Sequence, residues 1–209
     1  MSTLLVLASS ALGDASVSIE LLREAVAALR TRDPELRVLM RDLGSDPIPH
    51  LNRDSATAIR GAEPANETQT TARSFSDALI AELQAADLIL IGAPMYNFGM
   101  PTTLKVWFDY ILRAGLTFRY MENGPIGLLT GKRALVIATR GGLYSEGAAQ
   151  ALDSQEPHLR NLLGFMGITD ITFVRAERLA VGPEIRRQSI ETARTQLREI
   201  IDSGWYRTA

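Results

Sequence analysis

Short apolar segments recur along the chain, separated by longer segments with a helical repeat. Four of them lack polar alternation: residues 4–8 (LLVLA), 87–94 (DLILIGAP), 133–139 (RALVIAT) and 171–177 (ITFVRAE). Continuous apolar runs of this length are typical of parallel strands that are covered on both faces. A fifth segment, 36–43 (LRVLMRDL), is interrupted by polar residues, and we predict that it is an edge strand.

The segments between these strands carry apolar residues at helical spacing. They predict helices at about residues 19–30 and 70–86, from Pro101 to Gly115, at 155–164, and from Pro183 to Gly204. Proline is favoured at the first position of a helix and glycine just beyond its last, which supports these boundaries. Strands and helices therefore alternate along the chain.

This alternation implies right-handed crossovers and three layers. We predict a flavodoxin-like α/β/α sandwich with a five-stranded parallel sheet, formed by a single domain over residues 1–209, since 209 residues lie near the upper end of ordinary domain size. Two segments depart from the alternation: residues 46–67 resemble a loop, and residues 117–131 contain a turn at Asn123-Gly124-Pro125. Long excursions of this kind are often functional or face a partner.

Composition narrows the function classes. The net charge of −2 gives no basic field for nucleic acid or anionic lipid, so neither nucleic acid nor a membrane is an expected partner. The chain has no cysteine, so redox chemistry would need a bound cofactor. The first apolar segment is too short for a signal-peptide core, and no run approaches membrane-spanning length, so a cytoplasmic location is expected.

The first strand end predicts an anion site. Ligands of open parallel sheets bind beyond the carboxyl ends of the strands, and residues 9–18 (SSALGDASVS) place serine hydroxyls there, just before a helix. Free N–H groups of a helix N-terminus with adjacent hydroxyls suit a phosphate monoester, although an ordinary cap by Ser16 or Ser18 is the alternative. No dinucleotide motif follows a strand, and Gly131-Lys132 lacks the spacing and hydroxyl of a Walker loop. A mononucleotide is therefore the expected ligand.

Two further strand ends are unusual. Residues 94–110 (PMYNFGMPTTLKVWFDY) place an aromatic, an amide and a glycine before a helix, and residues 138–147 (ATRGGLYSEG) contain paired glycines. Paired glycines let the backbone approach a flat ligand and donate N–H groups to its carbonyls; a flexible turn is the alternative. Because the three loops would meet at one sheet edge, we interpret them as contacting different parts of one ligand.

These motifs resemble those of the FMN-dependent NADH-azoreductases, also described as NADH:quinone oxidoreductases. They are SS and SxS in the first loop, APMYNF, RAGLTFRY, ENGPIGLLTGK and TRGG, with PIPHL, LGFMGITD and GPE elsewhere, so that the resemblance covers nearly the whole chain. It implies a homodimer, one FMN per subunit, and reduction of quinones and azo bonds with NADH or NADPH as donor. Our hypothesis is a ping-pong cycle in which the donor leaves before the acceptor binds.

The resemblance also implies three groups of FMN contacts. They are Ser10, Ser16, Val17 and Ser18 around the phosphate, Met95, Tyr96, Asn97 and Phe98 along the isoalloxazine ring, and Thr139, Arg140, Gly141 and Gly142 at its pyrimidine side. The pair Gly99-Met100 departs from the family pattern, and so does Thr139, where serine is common. We therefore expect acceptor preference to be altered around Gly99-Met100.

No side chain is an evident acid or base, because the flavin would carry the chemistry. Asn97 is a candidate hydrogen-bonding partner of the ring near N5 or O4. Arg140 either stabilises negative charge on the reduced ring or is an outward, solvated arginine. His50 and His158 lie in no motif linked to proton transfer and are expected at the surface or in packing.

Tyr120 and Arg60 are candidate walls of the acceptor pocket and could face the second subunit. For Tyr120 and for its neighbour Phe118, packing in the core is the alternative.

Two other function classes remain open. An electron carrier of the flavodoxin type would bind FMN and dock to a protein partner through a strongly acidic face, which the net charge of −2 disfavours. A receiver-like signalling domain is also five-stranded, but it needs acidic residues gathered at strand ends. Asp42 and Asp87 do not form such a cluster, because Asp87 precedes its strand.

Overall fold

The strands form one parallel sheet and a separate hairpin. The structure is a computed structural model that describes residues 2–61 and 63–207. Its strands are β1 (Thr3–Ala8), β2 (Arg37–Asp42), β3 (Leu88–Pro94), β4 (Phe118–Met121), β5 (Gly124–Gly127), β6 (Arg133–Thr139) and β7 (Asp170–Ala176). The parallel sheet has the order β2-β1-β3-β6-β7, and β4 and β5 pair antiparallel. The predicted flavodoxin-like fold is confirmed, with 36–43 as an edge strand.

Helices cover both faces of the sheet. Those within the described residues are α1 (Val17–Arg32), α2 (Arg53–Ile59), α3 (Glu67–Ala85), α4 (Thr102–Ile111), α5 (Glu156–Phe165) and α6 (Pro183–Asp202). The apolar residues of α1 and α6 share one core cluster, and those of α3, α4 and α5 share the other. No helix in the described part of the chain is both long enough and apolar enough to span a bilayer.

The two-sided covering explains why the strands lack polar alternation. In β1, Leu5 and Leu7 belong to the core under α3 and α4, whereas Leu4 and Val6 belong to the core under α1 and α6. Successive side chains of a strand point to opposite faces, so both sets must be apolar when both faces are buried.

Two glycines allow close approaches that shape the sheet edge. A Cβ at Gly92 in β3 would lie 2.9 Å from Leu22 Cδ1, so glycine lets α1 pack closely on the sheet. A Cβ at Gly44, after β2, would lie 2.1 Å from the Ser10 carbonyl oxygen. The loop after β2 therefore presses on the loop after β1, and only glycine fits there without backbone movement.

The prediction of a loop over residues 46–67 is wrong, because this segment contains α2. Asn52 begins the helix with a capping box: its Oδ1 accepts from the Ser55 N–H at 3.0 Å, and Ser55 Oγ accepts from the Asn52 N–H at 2.9 Å. The helix has only seven residues, too few to show a clear apolar repeat.

The end of α4 also differs from its prediction. It lies at Ile111 rather than near Gly115, and Thr117 Oγ1 donates to the carbonyl of Ile111 at 2.8 Å. A side chain six residues further on thus binds a terminal helix carbonyl, which the glycine signal did not reveal.

Residues 118–127 form the β4–β5 hairpin, and the turn predicted at Asn123-Gly124-Pro125 overlaps its tip. The hairpin packs on the end of α5, where a Cβ at Gly127 would lie 2.0 Å from the Gly167 nitrogen. It begins at the sheet edge opposite the strand-end loops, because α4 carries the chain across the sheet. Ten helical residues span about 15 Å, so the hairpin and the loop after β3 are separated by roughly that distance.

Candidate functional site

Three loops lie side by side at the carboxyl edge of the sheet, because they follow the neighbouring strands β1, β3 and β6. The first two are joined through Tyr96, whose hydroxyl shares a hydrogen bond with Ser10 Oγ at 3.2 Å and accepts from the Ala11 N–H at 3.1 Å. The structure therefore brings together residues predicted for the phosphate and the ring. The hydroxyl of Tyr96 orders the first loop, a contact that the sequence did not reveal.

The first loop ends in buried hydroxyls at the start of α1. Ser16 Oγ accepts from the Ile19 N–H at 3.5 Å and lies 3.0 Å from Ser18 Oγ, so Ser16 is the helix cap. The N–H groups of Val17 and Ser18 have no acceptor among the residues described. Capping and anion binding are compatible here, since these two N–H groups remain available to an incoming oxygen.

The second loop is a tight turn with a strained backbone. The Tyr96 N–H donates to the Gly99 carbonyl at 2.9 Å, and the Gly99 N–H donates back at 3.1 Å. Between them, Asn97 (φ 47°) and Phe98 (φ 70°) are both left-handed, which asparagine tolerates and phenylalanine does not favour. Both side chains are exposed. Strain of this kind is characteristic of functional sites.

The third loop presents a row of backbone donors. The carbonyls of residues 140–142 accept from N–H groups of residues 178–180 at 2.8–3.1 Å. In a trans peptide the carbonyl and the following N–H point in opposite directions. The N–H groups of Gly141, Gly142 and Leu143 are therefore turned away from residues 178–180, and none has an acceptor within the described chain. Such a row suits the carbonyl edge of a planar ligand.

An aromatic residue missed by the sequence analysis connects the second and third loops. A Cβ at Gly142 would lie 3.0 Å from the ring of Tyr144, so that ring covers the glycine closely. The same ring meets Phe98 edge to face, with 6.0 Å between centroids and 79° between planes. Tyr144 follows the TRGG motif by two residues, and that proximity was the available signal.

The structure excludes one of the two interpretations of Arg140. Its side chain is 1% exposed, so the outward, solvated arginine is wrong. Its Nε donates to Gln155 Oε1 at 3.1 Å, one terminal nitrogen lies 3.2 Å from Glu177 Oε1, and the other lies 3.0 Å from Asp153 Oδ2. The guanidinium is thus enclosed by carboxylates that balance its charge. These partners lie 13 to 37 positions away, which is why the motif alone did not reveal them.

Glu177 and Glu156 are the acidic residues whose titration this cluster changes. Burial opposes ionisation of Glu177, but hydrogen bonds from Ser145, the Tyr144 N–H and Arg140 hold its pKa below the usual value. Burial acts in the same direction on Glu156, and Arg175 and Arg160 lower its pKa overall. Both carboxylates are therefore charged at neutral pH.

Met95 and Thr139 continue the β3–β6 pairing at the edge. The Met95 N–H donates to the Thr139 carbonyl at 2.8 Å. Thr139 is buried and Met95 is half-buried, so both lie below the level of the exposed turn.

Tyr120 and Arg60 share a different groove of about 750 Å³, bordered also by Arg113 and Phe118. Core packing is confirmed for Phe118, which is 7% exposed, but wrong for Tyr120, which is 72% exposed. Their groove lies toward the far end of α4, so one subunit does not bring them to the strand-end loops. His50 and His158 are exposed, as expected.

The two aspartates considered for a receiver-like domain lie at opposite edges of the parallel sheet, because Asp42 ends β2 and Asp87 precedes β3. Within residues 2–61 and 63–207, no group of three or more histidine, aspartate or glutamate side chains is arranged to hold a metal ion. Asp42, at the end of β2, instead accepts from the Gly44 and Ser45 N–H groups at 3.0 and 3.2 Å.

Known proteins share this sequence and architecture. A family model for the flavodoxin-like fold matches residues 1–201. The chain is 52% identical over 200 residues to an FMN-dependent NADH:quinone oxidoreductase of Hyphomonas neptunium, covering 96% of each chain. It is 46% identical over 198 residues to the protein of the same name from Ralstonia nicotianae, covering 94% of this chain and 95% of the relative.

A solved structure agrees with these sequence relatives. An azoreductase from Bacillus anthracis strain Sterne superposes with a TM-score of 0.89 at 26% identity, covering 97% of this chain and 100% of that one. The sequence and fold comparisons thus confirm the predicted resemblance. The chain belongs to the family of FMN-dependent NADH:quinone oxidoreductases, which has the flavodoxin-like fold.

Proposed function

We propose that this protein is an FMN-dependent oxidoreductase that transfers hydride from NADH to quinones and to the azo bond of aromatic azo compounds. The relatives are named for FMN, NADH and quinones, and the solved neighbour is named an azoreductase. The observation that carries the proposal is the row of unpartnered N–H groups at residues 141–143, beside an exposed aromatic turn.

The first loop would hold the FMN phosphate. We propose that it contacts the N–H groups of Val17 and Ser18 and the hydroxyls of Ser10, Ser16 and Ser18. Unpartnered N–H groups at the start of α1 support this assignment, because a helix N-terminus favours an anion. No lysine or arginine is needed for the contact.

The other two loops would hold the isoalloxazine ring. Along the ring we propose Met95, Tyr96, Asn97 and Phe98, and at its pyrimidine side Thr139, Gly141 and Gly142, with Leu143 added for its free N–H group. Arg140 is retained as a residue of this loop that acts through its neighbours, because its guanidinium is buried and paired with Asp153 and Glu177. Bound FMN supplies the hydride-transfer chemistry.

The acceptor would be flat and aromatic. Phe98 is 45% exposed, Leu152 is exposed nearby, and the Ser154 N–H donates to the Phe98 carbonyl at 3.0 Å, which fixes these apolar groups relative to one another. An apolar rim binds planar rings by contact area rather than by directed hydrogen bonds. This supports acceptance of quinones and aromatic azo compounds by one surface.

Donor and acceptor would use the same apolar rim in turn. Two molecules that share one binding place cannot bind at the same time, so we propose a ping-pong cycle, for which double-reciprocal plots at several quinone concentrations give parallel lines.

The relatives are named for NADH, and we propose NADH as the donor and the cytoplasm, where NADH is available, as the location. Comparing kcat/KM for NADH and NADPH tests the donor choice.

We also propose a homodimer in which the hairpin meets a second subunit. Tyr120, Met121, Ile126 and Phe165 expose apolar surface on the hairpin and at the end of α5. Contiguous exposed apolar surface marks interaction sites. Because this surface is a helix length from the loops of its own subunit, Tyr120 and Arg60 would reach an acceptor only in the site of the partner subunit.

Steady-state turnover by the purified protein tests the proposed activity. We expect NADH oxidation in the presence of FMN and benzoquinone, and slower oxidation with an aromatic azo dye. A flavodoxin-type carrier would bind FMN but would not oxidise NADH without a protein partner. Bound FMN without quinone-dependent NADH oxidation would therefore contradict the proposal and favour the carrier.

A further inference from the structure

Glu177, immediately after β7, holds the backbone of the third loop. Its Oε1 accepts from the Tyr144 N–H at 2.9 Å and from the Ser145 N–H at 3.0 Å, and its Oε2 accepts from the Ser145 hydroxyl. The residue is 8% exposed. One buried side chain therefore holds two backbone N–H groups of another loop, and a buried donor that lost this acceptor would be left unsatisfied.

Glu177 is itself held in place by other buried side chains. Arg140 binds Glu177 and Asp153, and Gln155 connects Arg140 to the Ala93 carbonyl in β3 at 3.0 Å. Asp153 Oδ1 also accepts from the N–H groups of Gln155 and Glu156 at 2.9 and 3.1 Å, which secures the start of α5. The third loop is thus tied to β3, β7 and α5 by side chains that are almost fully buried.

These attachments leave three backbone N–H groups of the third loop without an acceptor among the residues described. Residues 178–180 hold the carbonyls of residues 140–142, and Glu177 holds the N–H groups of Tyr144 and Ser145. The unpartnered N–H groups of residues 141–143 lie between these two attachments, so their direction is fixed before any ligand arrives. Donors ordered in advance bind more tightly, because binding does not have to supply the entropy of ordering them.

We propose that Glu177 is a positioning residue for FMN, and that the reach of its carboxylate to the Tyr144 and Ser145 N–H groups, rather than its charge, preserves FMN affinity. The inference rests on the proposed function, since it concerns how the third loop receives the ring. Glu177 belongs to none of the motifs that indicated the site.

Charge is the weaker element because Glu177 is not the sole carboxylate beside Arg140 among the residues described: Asp153 lies 3.0 Å and Glu156 lies 3.6 Å from it. Three arginines face three carboxylates here: Arg140, Arg160, Arg175, Asp153, Glu156 and Glu177. If Glu177 becomes neutral, Arg140 keeps Asp153 at 3.0 Å. If its side chain becomes shorter, nothing else replaces the bonds to the two loop N–H groups.

Two substitutions separate the effect of the length of the Glu177 side chain from the effect of its charge. Glu177→Gln keeps an acceptor oxygen at the same reach and removes the charge, whereas Glu177→Asp keeps the charge and withdraws the oxygens by one methylene. Glu184→Gln is the matched control, because Glu184 is an exposed glutamate on α6 that pairs with Arg187. For each apoprotein we would measure the FMN Kd by fluorescence titration, amide hydrogen exchange at Tyr144 and Ser145, and the thermal unfolding midpoint.

We expect Glu177→Asp to raise the FMN Kd about tenfold or more and to lose exchange protection at both amides, since each lost bond to a charged group exceeds a factor of ten. Glu177→Gln is expected within about threefold of the parent with protection kept, because it preserves the neutral form of the same bonds. The control should match the parent.

Two results would overturn the inference: parent-like FMN affinity and protection in Glu177→Asp, or a Kd for Glu177→Gln as weak as that of Glu177→Asp. Hydrogen exchange reports on the loop without FMN. Failure of the parent protein to bind FMN would therefore refute the proposed function, while the exchange result still decides whether Glu177 orders the loop.

Discussion

Phe98 occupies a backbone conformation that glycine and asparagine accept more readily than phenylalanine. Its φ is 70°, in the middle of a turn closed at both ends by hydrogen bonds between Tyr96 and Gly99. The left-handed conformation costs an ordinary residue about 1–2 kcal/mol. The ring is 45% exposed and belongs to neither core cluster, and its aromatic contact is with Tyr144 of the third loop, so we attribute its presence to a ligand.

Phe98→Gly separates stability from function. We expect the free energy of unfolding of the apoprotein to stay unchanged or rise by up to about 1 kcal/mol, because strain is relieved while the unfolded chain gains entropy. The KM for quinone should rise severalfold, because the rim loses its aromatic side chain. Urea unfolding and steady-state quinone kinetics provide the measurements.

A loss of more than about 1 kcal/mol in Phe98→Gly, with unchanged quinone kinetics, would show that Phe98 stabilises the fold rather than contacts an acceptor.

Lys132 binds the carbonyls at the C-terminal end of α3. Its ammonium donates to the Gln84 carbonyl at 2.8 Å and to the Ala86 carbonyl, so the Gly131-Lys132 pair that partly resembled a phosphate loop has a structural role. Cations at helix C-termini bind the last carbonyls and complement the helix dipole.

Lys132→Met should lower the free energy of unfolding by about 1–2 kcal/mol, because two helix carbonyls lose a charged donor. FMN affinity should not change. The control is Lys105→Met, which removes an i,i+4 pair with the half-exposed Asp109 and should cost less than about 0.5 kcal/mol. Equal losses in the two variants would argue against the capping role.

Glu156 connects two elements and makes their attachment sensitive to acid. It lies at the start of α5 and accepts from Arg175 of β7 at 2.7 and 2.9 Å. Its pKa is below its usual value of 4.5 in the folded protein. A carboxyl whose pKa is lowered by folding stabilises the protein above the unfolded pKa and loses that contribution as the pH falls through the folded pKa.

We therefore expect stability to be constant near neutral pH and to fall below about pH 5, with a shallower acid decline in Glu156→Gln. Urea unfolding at several pH values between about 3 and 7 gives both profiles. An acid decline of equal steepness in the variant would show that Glu156 does not contribute to it.

The elements differ in how well the sequence predicts them. Buried parallel strands produce long apolar runs, so the sheet and most helix ends were predicted within a few residues. The turn of the hairpin was predicted but its strand pairing was not, because strands of four residues without alternating buried and exposed positions carry no clear pattern. At the site, the three loops follow from motifs, but Glu177 and the burial of Arg140 depend on contacts between distant segments that no local pattern encodes.

The exposed apolar side chains of the hairpin predict that two copies of the protein assemble. Tyr120→Asp places a charge on its most exposed aromatic side chain. We expect the parent to sediment as a dimer, and the variant to dissociate at concentrations at which the parent does not, because a charge is costly to bury at an apolar interface. Arg119→Ala on the same strand is the control. Sedimentation of the parent as a monomer at micromolar concentration would refute the homodimer.

In the proposed function, the three strand-end loops hold one FMN that accepts hydride from NADH and returns it to a quinone. An anaerobic titration of the FMN-loaded protein, followed by its visible absorbance, tests this most directly. We predict that one equivalent of NADH bleaches the flavin band and that one equivalent of benzoquinone restores it. A protein that takes up no FMN, or whose bound FMN is not bleached by NADH, would contradict it.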